Sequence, residues 1–353
     1  MLLVRPDHVG DVLLSSPAVA LLRTALPRAR LTYLVGPWAV DAARHGPAVD
    51  EVRTLRFPGF TRSPNKNVVQ PYALLARWAQ RLRREHYDLA VMLRGDHWWG
   101  ALLALAAGIP VRVGGLAPEK TGDLLTHGRA AGPQEHWAEQ ALGIARLALE
   151  ACGAPVPLPP AELVFRVSEP ARAEAAAWLR EHGLAGQRVV AIHPSAGAGL
   201  KSWPVERWAT VAERVEAPVL LSGAPGDQAL LRCIAQRTST RVVLASGQRL
   251  EVSAALYEQC ALLIAPDCGA AHLAGAVGTP TLRLYGPASE HVFGPWPAHD
   301  DQRVQTAQGL ACAPCGYLVD PPCGATHTPA CMLSLSTEQV LQAAKDLLAR
   351  TEN

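Results

Sequence analysis

Short apolar runs, each closed by a glycine, a proline or a polar turn, recur along this chain, and stretches with helical spacing lie between them. Residues 2–5, 30–35, 51–55, 88–93 and 111–114 read as strands, the first of them buried. Residues 6–11 read as a turn. A helix is expected next, with Ser16 as its cap, Pro17 at its first position and Val19, Leu22 and Leu26 at helical spacing. Further helices are expected at 73–85 and 136–151. This alternation argues a parallel, doubly wound α/β sheet.

The proline-rich segment 152–160 interrupts the alternation and is the best domain boundary. Beyond it Ser168 opens a helix that Gly183 ends. Strands are expected again at 188–193, 218–222, 240–244, 261–265 and 281–285. Two such sandwiches, residues 1–160 and 161–335, are expected to face each other across a cleft lined by the loops after their strands. After Pro287 the chain reads as irregular through Ala330. A final helix at 337–351 belongs to a segment, 336–353, expected to pack back toward the first domain.

Composition agrees with two ordinary domains. Hydrophobic residues make up 49% of the 353 and charged residues 18%, the balance of a globular chain, not a disordered one. A net charge of +2 gives no case for a nucleic-acid or membrane surface. The longest apolar run, residues 98–109, falls short of the ~20 residues needed to cross a bilayer. Arg5 and Asp7 interrupt the first apolar run at once, so it is not a signal peptide. The expected location is the cytoplasm, with at most peripheral contact at the inner face of the membrane. The eight cysteines are then expected to be reduced.

Four strand ends carry candidate chemistry. In the most informative, the strand at 261–265 breaks at Pro266, Asp267, Cys268 and Gly269, and a helix of small residues begins. The free N–H groups of Gly269, Ala270 and Ala271 would form an anion site. Asp267 can accept from hydroxyls and His272, one turn in, can donate to a phosphate. Equally, Asp267 alone could simply cap the helix, and His272 could be an interior histidine. A second place is the glycine-rich loop from His193 through Ser195 to Lys201, where backbone N–H groups and an ammonium suit a phosphate, without the spacing of a P-loop. The third is the tight turn ending at Asp227, an acid placed to hold ribose hydroxyls or to open a helix. The fourth is Gly10-Asp11 after the first strand. A carboxylate there could take a proton from an attacking hydroxyl, or be an ordinary loop aspartate. Together these features suggest a nucleoside diphosphate.

Cys312, Cys315, Cys323 and Cys331 need a separate reading. The first two have C-x-x-C spacing, which permits a tetrahedral zinc site; plain thiols or an adventitious disulfide are the alternatives. Cys152, Cys233 and Cys260 read as core residues.

Taken together these stretches resemble the family-9 glycosyltransferases, the ADP-heptose:lipopolysaccharide heptosyltransferases and their relatives. The early pattern stands as Gly10-Asp11-Val12-Leu13 and Ser16-Pro17-Ala18-Val19. The middle one stands as His193-Pro194-Ser195-Ala196 with Lys201-Ser202-Trp203-Pro204-Val205-Glu206-Arg207-Trp208. The late one stands as Asp267-Cys268-Gly269, His272-Leu273-Ala274, Gly278-Thr279-Pro280 and Leu284-Tyr285-Gly286-Pro287. The four-cysteine segment, with Cys331-Met332 before the last helix, also looks like the family's tail. Two departures are Cys268, where the family has a hydroxyl residue, and Ser195, where glycine is usual.

The resemblance implies a GT-B architecture of two Rossmann-like domains, with the donor bound mainly by the second. It implies inverting transfer of a heptose-like sugar from a nucleoside-diphosphate donor, most simply ADP-heptose, without metal or cofactor. The acceptor would be a hydroxyl of a cell-surface glycan or lipopolysaccharide-core precursor. Asp11 would be the general base, with Gly10 beside it. Lys201 and the helix start at Gly269 would stabilise the leaving diphosphate. Asp267 would hold sugar hydroxyls, His272 the phosphates and Asp227 the ribose, with Ser195 and Cys268 lining the same site. Arg62, Lys66, Arg77, Arg81, Arg83 and Arg84 could meet an anionic acceptor or form a solvated helix face. Competing readings are a transferase of the same fold with another sugar nucleotide and acceptor, a binding module without catalysis, and a dinucleotide oxidoreductase. The last predicts a G-x-G-x-x-G after the first strand, which residues 6–11 lack.

Overall fold

The structure, a computed structural model, describes residues 1–61 and 69–350. The chain divides into two compact units, Met1–Phe165 and Arg166–Asn353. Strands of the first unit are β1 (Leu2–Arg5), β2 (Thr32–Val35), β3 (Glu51–Thr54), β4 (Leu89–Met92), β5 (Val111–Gly115) and β6 (His127–Arg129). Those of the second are β7 (Val190–Ile192), β8 (Val219–Gly223), β9 (Val242–Ser246), β10 (Leu262–Pro266), β11 (Thr281–Tyr285) and β12 (Gln302–Thr306).

Among the described residues every strand pair is parallel. The first sheet runs β3-β2-β1-β4-β5-β6 and the second β12-β11-β10-β7-β8-β9. Renumbered within its own unit, the second order is the first one again, the Rossmann winding. The central strands β1, β4, β7 and β10 are buried along their length, and apolar but for Arg5 at the end of β1, because helices cover both faces.

Two edge strands escape the sequence pattern. β6 is three residues, largely exposed, and β12 is polar and half-buried throughout, so neither carries an apolar run. Residues 302–306 are therefore an ordered strand inside the segment expected to be irregular. The turn expected at residues 6–11 ends sooner, because a short helix, Val9–Leu14, buries Val12, Leu13 and Leu14. Ser15, not Ser16, then precedes the helix Ser16–Ala25.

The last helix, Thr337–Arg350, packs within the second unit. Its buried stripe, Val340, Ala343, Ala344 and Leu347, belongs to the core of the second unit, with Trp203, Trp208 and Met332. The Trp203 indole N–H donates to the Leu335 carbonyl at 3.1 Å, fixing the entry to this helix.

Candidate functional site

In open α/β sheets ligands bind beyond the carboxyl ends of the strands where the winding reverses. Here those strands are β1 and β4 in the first unit and β7 and β10 in the second. The candidate residues follow these strands, apart from Asp227, which follows β8.

At the end of β1, Arg5 on the strand and Asp7 just beyond it are almost wholly buried. Arg5 Nε lies 3.0 Å from Asp7 Oδ2, Arg94 after β4 pairs with Asp7 Oδ1, and Arg94 Nε reaches Asp96 at 2.6 Å. Both guanidinium groups lie over the Trp137 ring, at 4.6 and 5.2 Å. Asp11 stands at the edge of this cluster, in the first turn of Val9–Leu14, with Gly10 before it on the same helix. Its Oδ2 accepts from the His8 backbone N–H at 3.3 Å, and Arg5 Nη2 lies 3.8 Å from Oδ1. Its side chain keeps 28% of its surface in solvent, so a substrate hydroxyl can reach it. Burial, and then the negative charge of Asp7, push its pKa from 3.8 to about 6, against the pull of Arg5, Arg94 and the His8 N–H. A carboxylate poised there is ionised at neutral pH yet basic enough to take a proton.

Beyond β10, Asp267 is held by Lys201 at 3.0 Å, with 8% and 14% of the side chains exposed. Lys201 closes the short 3₁₀ turn Gly199–Lys201 in the loop after β7. His272 Nε2 lies 4.0 Å from the other oxygen of Asp267. The helix Gly269–Ala276 begins beside them, capped by the extended Cys268, whose side chain makes no capping hydrogen bond. Burial holds the Cys268 thiol up at about 11, so it is neutral. The arrangement joins an ammonium, an imidazole and a helix N-terminus around one carboxylate, a set suited to phosphate oxygens and hydroxyls.

Asp227 and Ser195 meet one strand over. Ser195 Oγ donates to Asp227 Oδ2 at 2.7 Å, and the Ala224 N–H donates to the same oxygen at 2.8 Å. A Cβ on Gly223 would come within 2.9 Å of Asp227 Cβ, so the tight turn needs glycine there. With the Ser195 proton spent on Asp227, His193 Nε2 at 3.1 Å must be the donor to Ser195. His193 Nδ1 then accepts from Ser222 at 3.1 Å, and Ser222 in turn contacts the Tyr257 hydroxyl at 2.9 Å. Burial lowers the His193 pKa to about 4, which keeps the ring neutral and this chain intact.

Sequence reasoning passed over Arg5, Asp7, Arg94 and Arg283. Arg5 and Arg283 are charged residues inside runs read as buried strands, and that incongruity was the signal. Arg283 is 1% exposed on β11 and donates to Thr281, Ala271, Gln302 and His272.

The profile of glycosyltransferase family 9 (heptosyltransferase) matches residues 75–317, more than half of the chain. The chain belongs to this family. The family-9 chain is 25% identical over 316 residues to lipopolysaccharide heptosyltransferase 3 of Escherichia coli, covering 81% of this chain and 83% of that one. Its fold superposes on a glycosyltransferase of family 9 from Veillonella parvula with a TM-score of 0.77 at 22% identity, covering 99% and 97% of the two chains. An E. coli heptosyltransferase solved with ADP gives 0.69 at 18%, covering 98% and 99%. The family-9 chain is thus a glycosyltransferase of the heptosyltransferase kind, built from two Rossmann-like units in the GT-B class.

Other expectations for the family-9 chain fare differently. Among the described residues no helix is long and apolar enough to cross a membrane. All eight cysteines are free, and among the described residues no group of three or more histidine, cysteine or acidic side chains is placed to hold a metal. Cys312 and Cys323 are exposed, while Cys331 is buried against Gly286. Of those expected in the core, Cys260 is buried, but Cys152 is exposed at a helix end because the chain leaves the first sheet there. Arg77, Arg81, Arg83 and Arg84 are exposed at or near the helix Gln70–Arg83, Arg81 lying over Trp78 at 5.2 Å. Arg62 and Lys66 lie outside the described residues.

Proposed function

We propose that this transferase moves a heptose-like sugar, with inversion and without a metal, from ADP-heptose to a hydroxyl of a glycan or lipopolysaccharide-core precursor. The observation that carries this reading is the Lys201–Asp267–His272 constellation at the start of the helix Gly269–Ala276. Lys201 and the N–H groups of Gly269, Ala270 and Ala271 stabilise the charge that develops on the leaving diphosphate. Asp267 holds donor-sugar hydroxyls, His272 donates to a phosphate, and Cys268 contributes by its backbone and shape. Among the described residues both bonds to Asp227 fall on Oδ2, so Oδ1 remains for the ribose hydroxyls. Ser195 holds that carboxylate in place. Asp11, with Gly10 before it on the same helix, takes the proton of the acceptor hydroxyl. The relative solved with ADP and the E. coli lipopolysaccharide heptosyltransferase support the choice of nucleotide and of acceptor class. The enzyme acts in the cytoplasm, with at most peripheral membrane contact.

The test is a mass-spectrometric transfer assay of the purified protein with a panel of ADP-, UDP- and GDP-sugars and a lipopolysaccharide-core acceptor. Product from ADP-heptose is expected. Product only from a UDP- or GDP-sugar would reassign the donor, and none from any donor would favour a binding module.

The pH profile has a definite sign. The base acts only when ionised, so kcat/KM should fall about tenfold per unit as pH drops below about 6, the Asp11 value. Asp7→Asn removes a like charge and frees Arg5 and Arg94 to act on Asp11, so the limb should move to lower pH. A limb that stays in place in Asp7→Asn would exclude this electrostatic coupling.

A further inference from the structure

Arg283 is a cation in the middle of a buried strand, and its neighbours define what it can do. Its Nη1 lies 3.2 Å from His272 Nδ1; its Nε points to Thr281 Oγ1 at 3.1 Å; its Nη2 donates to the Ala271 carbonyl at 3.1 Å and to Gln302 Oε1 at 2.8 Å. Among the described residues no carboxylate lies within ion-pair distance of it. The hydrogen-bond partners named here are all neutral acceptors, and a buried charge in that condition is costly.

A guanidinium has only donors and is not deprotonated in proteins. Between Arg283 Nη1 and His272 Nδ1 the imidazole nitrogen must therefore accept. A neutral ring that accepts at Nδ1 carries its proton on Nε2, the atom 4.0 Å from Asp267 Oδ1. Protonating His272 would set two N–H groups and two positive charges against each other at 3.2 Å. We propose that Arg283 is a positioning residue of the donor site: it fixes His272 as the neutral Nε2–H tautomer, so that the ring presents a donor on the side of Asp267. An acceptor nitrogen there would repel phosphate oxygens. The functional half of this inference rests on the donor-site reading above; the tautomer does not.

The experiment uses the full chain with ¹⁵N-labelled histidine. Long-range ¹⁵N–¹H spectra report each ring's tautomer, and the His272 signals are identified by their loss in His272→Gln. The wild type should show His272 as neutral Nε2–H between pH 5.5 and 8. A ring that is Nδ1–H or charged in that range would overturn the proposal, whether or not any variant folds. With ADP as the probe, Arg283→Met should lose the tautomer preference and weaken binding about tenfold or more. His272→Gln keeps an amide N–H near the Nε2 position and has no tautomer to lose. In that background Arg283→Met should change ADP affinity less than about threefold, a non-additivity that marks action through His272. Equal losses in both backgrounds would mean a merely structural role and would overturn the assignment. Absence of ADP binding by the wild type, with the tautomer as expected, would overturn the donor reading and the role that depends on it.

Discussion

Asp11→Asn should abolish transfer and make the protein more stable. The loss of the base is expected to cost about 10²–10⁴ in kcat, while ADP affinity stays unchanged because the donor is assigned to the second unit. The gain in stability follows from the same pKa. Asp11 is raised from 3.8 to about 6, so the folded state binds a proton that the unfolded state has released. Stability from this group is fully present below pH 3.8 and is lost as pH rises through about 6. Asparagine keeps the acceptor for the His8 N–H without the charge. Above pH 6 the variant should therefore be more stable by on the order of 2–3 kcal/mol, and below pH 4 by nothing measurable. Thermal unfolding at pH 8 and pH 4, beside the transfer assay, checks both halves. A variant that is inactive and less stable at pH 8 would show that Asp11 is a structural residue instead.

Lys201→Met should damage activity and stability together. Removing a donor aimed at the developing diphosphate charge is expected to lower kcat about 10²–10³-fold. It also strands Asp267, a carboxylate with 8% of its side chain exposed, without the ammonium 3.0 Å away. Breaking a buried pair from one side costs about 3 kcal/mol or more. Replacing both partners, as in Lys201→Met with Asp267→Asn, should restore most of the stability and none of the activity. Urea unfolding of the single and double variants gives the energies, and single-turnover transfer gives the rates. Recovery of activity in the double variant would mean that Lys201 acts only by neutralising Asp267.

The sequence made the winding legible because the central strands are buried on both faces and read as continuous apolar runs. β10 and β11, with the helix start between them, could be placed from Pro266, Gly269 and Gly278 alone. What escaped lay where burial and polarity part company. β6 and β12 are edge strands whose residues are exposed or half-buried, so no periodicity announces them. The helix Val9–Leu14 was hidden because Pro6, Asp7 and Gly10 read as turn residues, although Val12, Leu13 and Leu14 already supply its buried face. The candidate ligand-binding positions were visible as turn chemistry at strand ends. The groups that hold them were not, since Arg5 and Arg283 sit within apolar strands where the eye passes over a single charge. Asp11 illustrates the difference: its place was readable, but its proton affinity depends on Asp7, Arg5 and Arg94, which the fold brings together from β1 and β4.

If the second unit grips a nucleoside diphosphate between the loop after β7 and the helix after β10, hydrogen–deuterium exchange with and without saturating ADP will report it. Exchange should slow in residues 194–201, 223–227 and 268–272, with the amides of Gly269, Ala270 and Ala271 the most protected. Protection confined to the first unit, with those three segments unchanged, would contradict it.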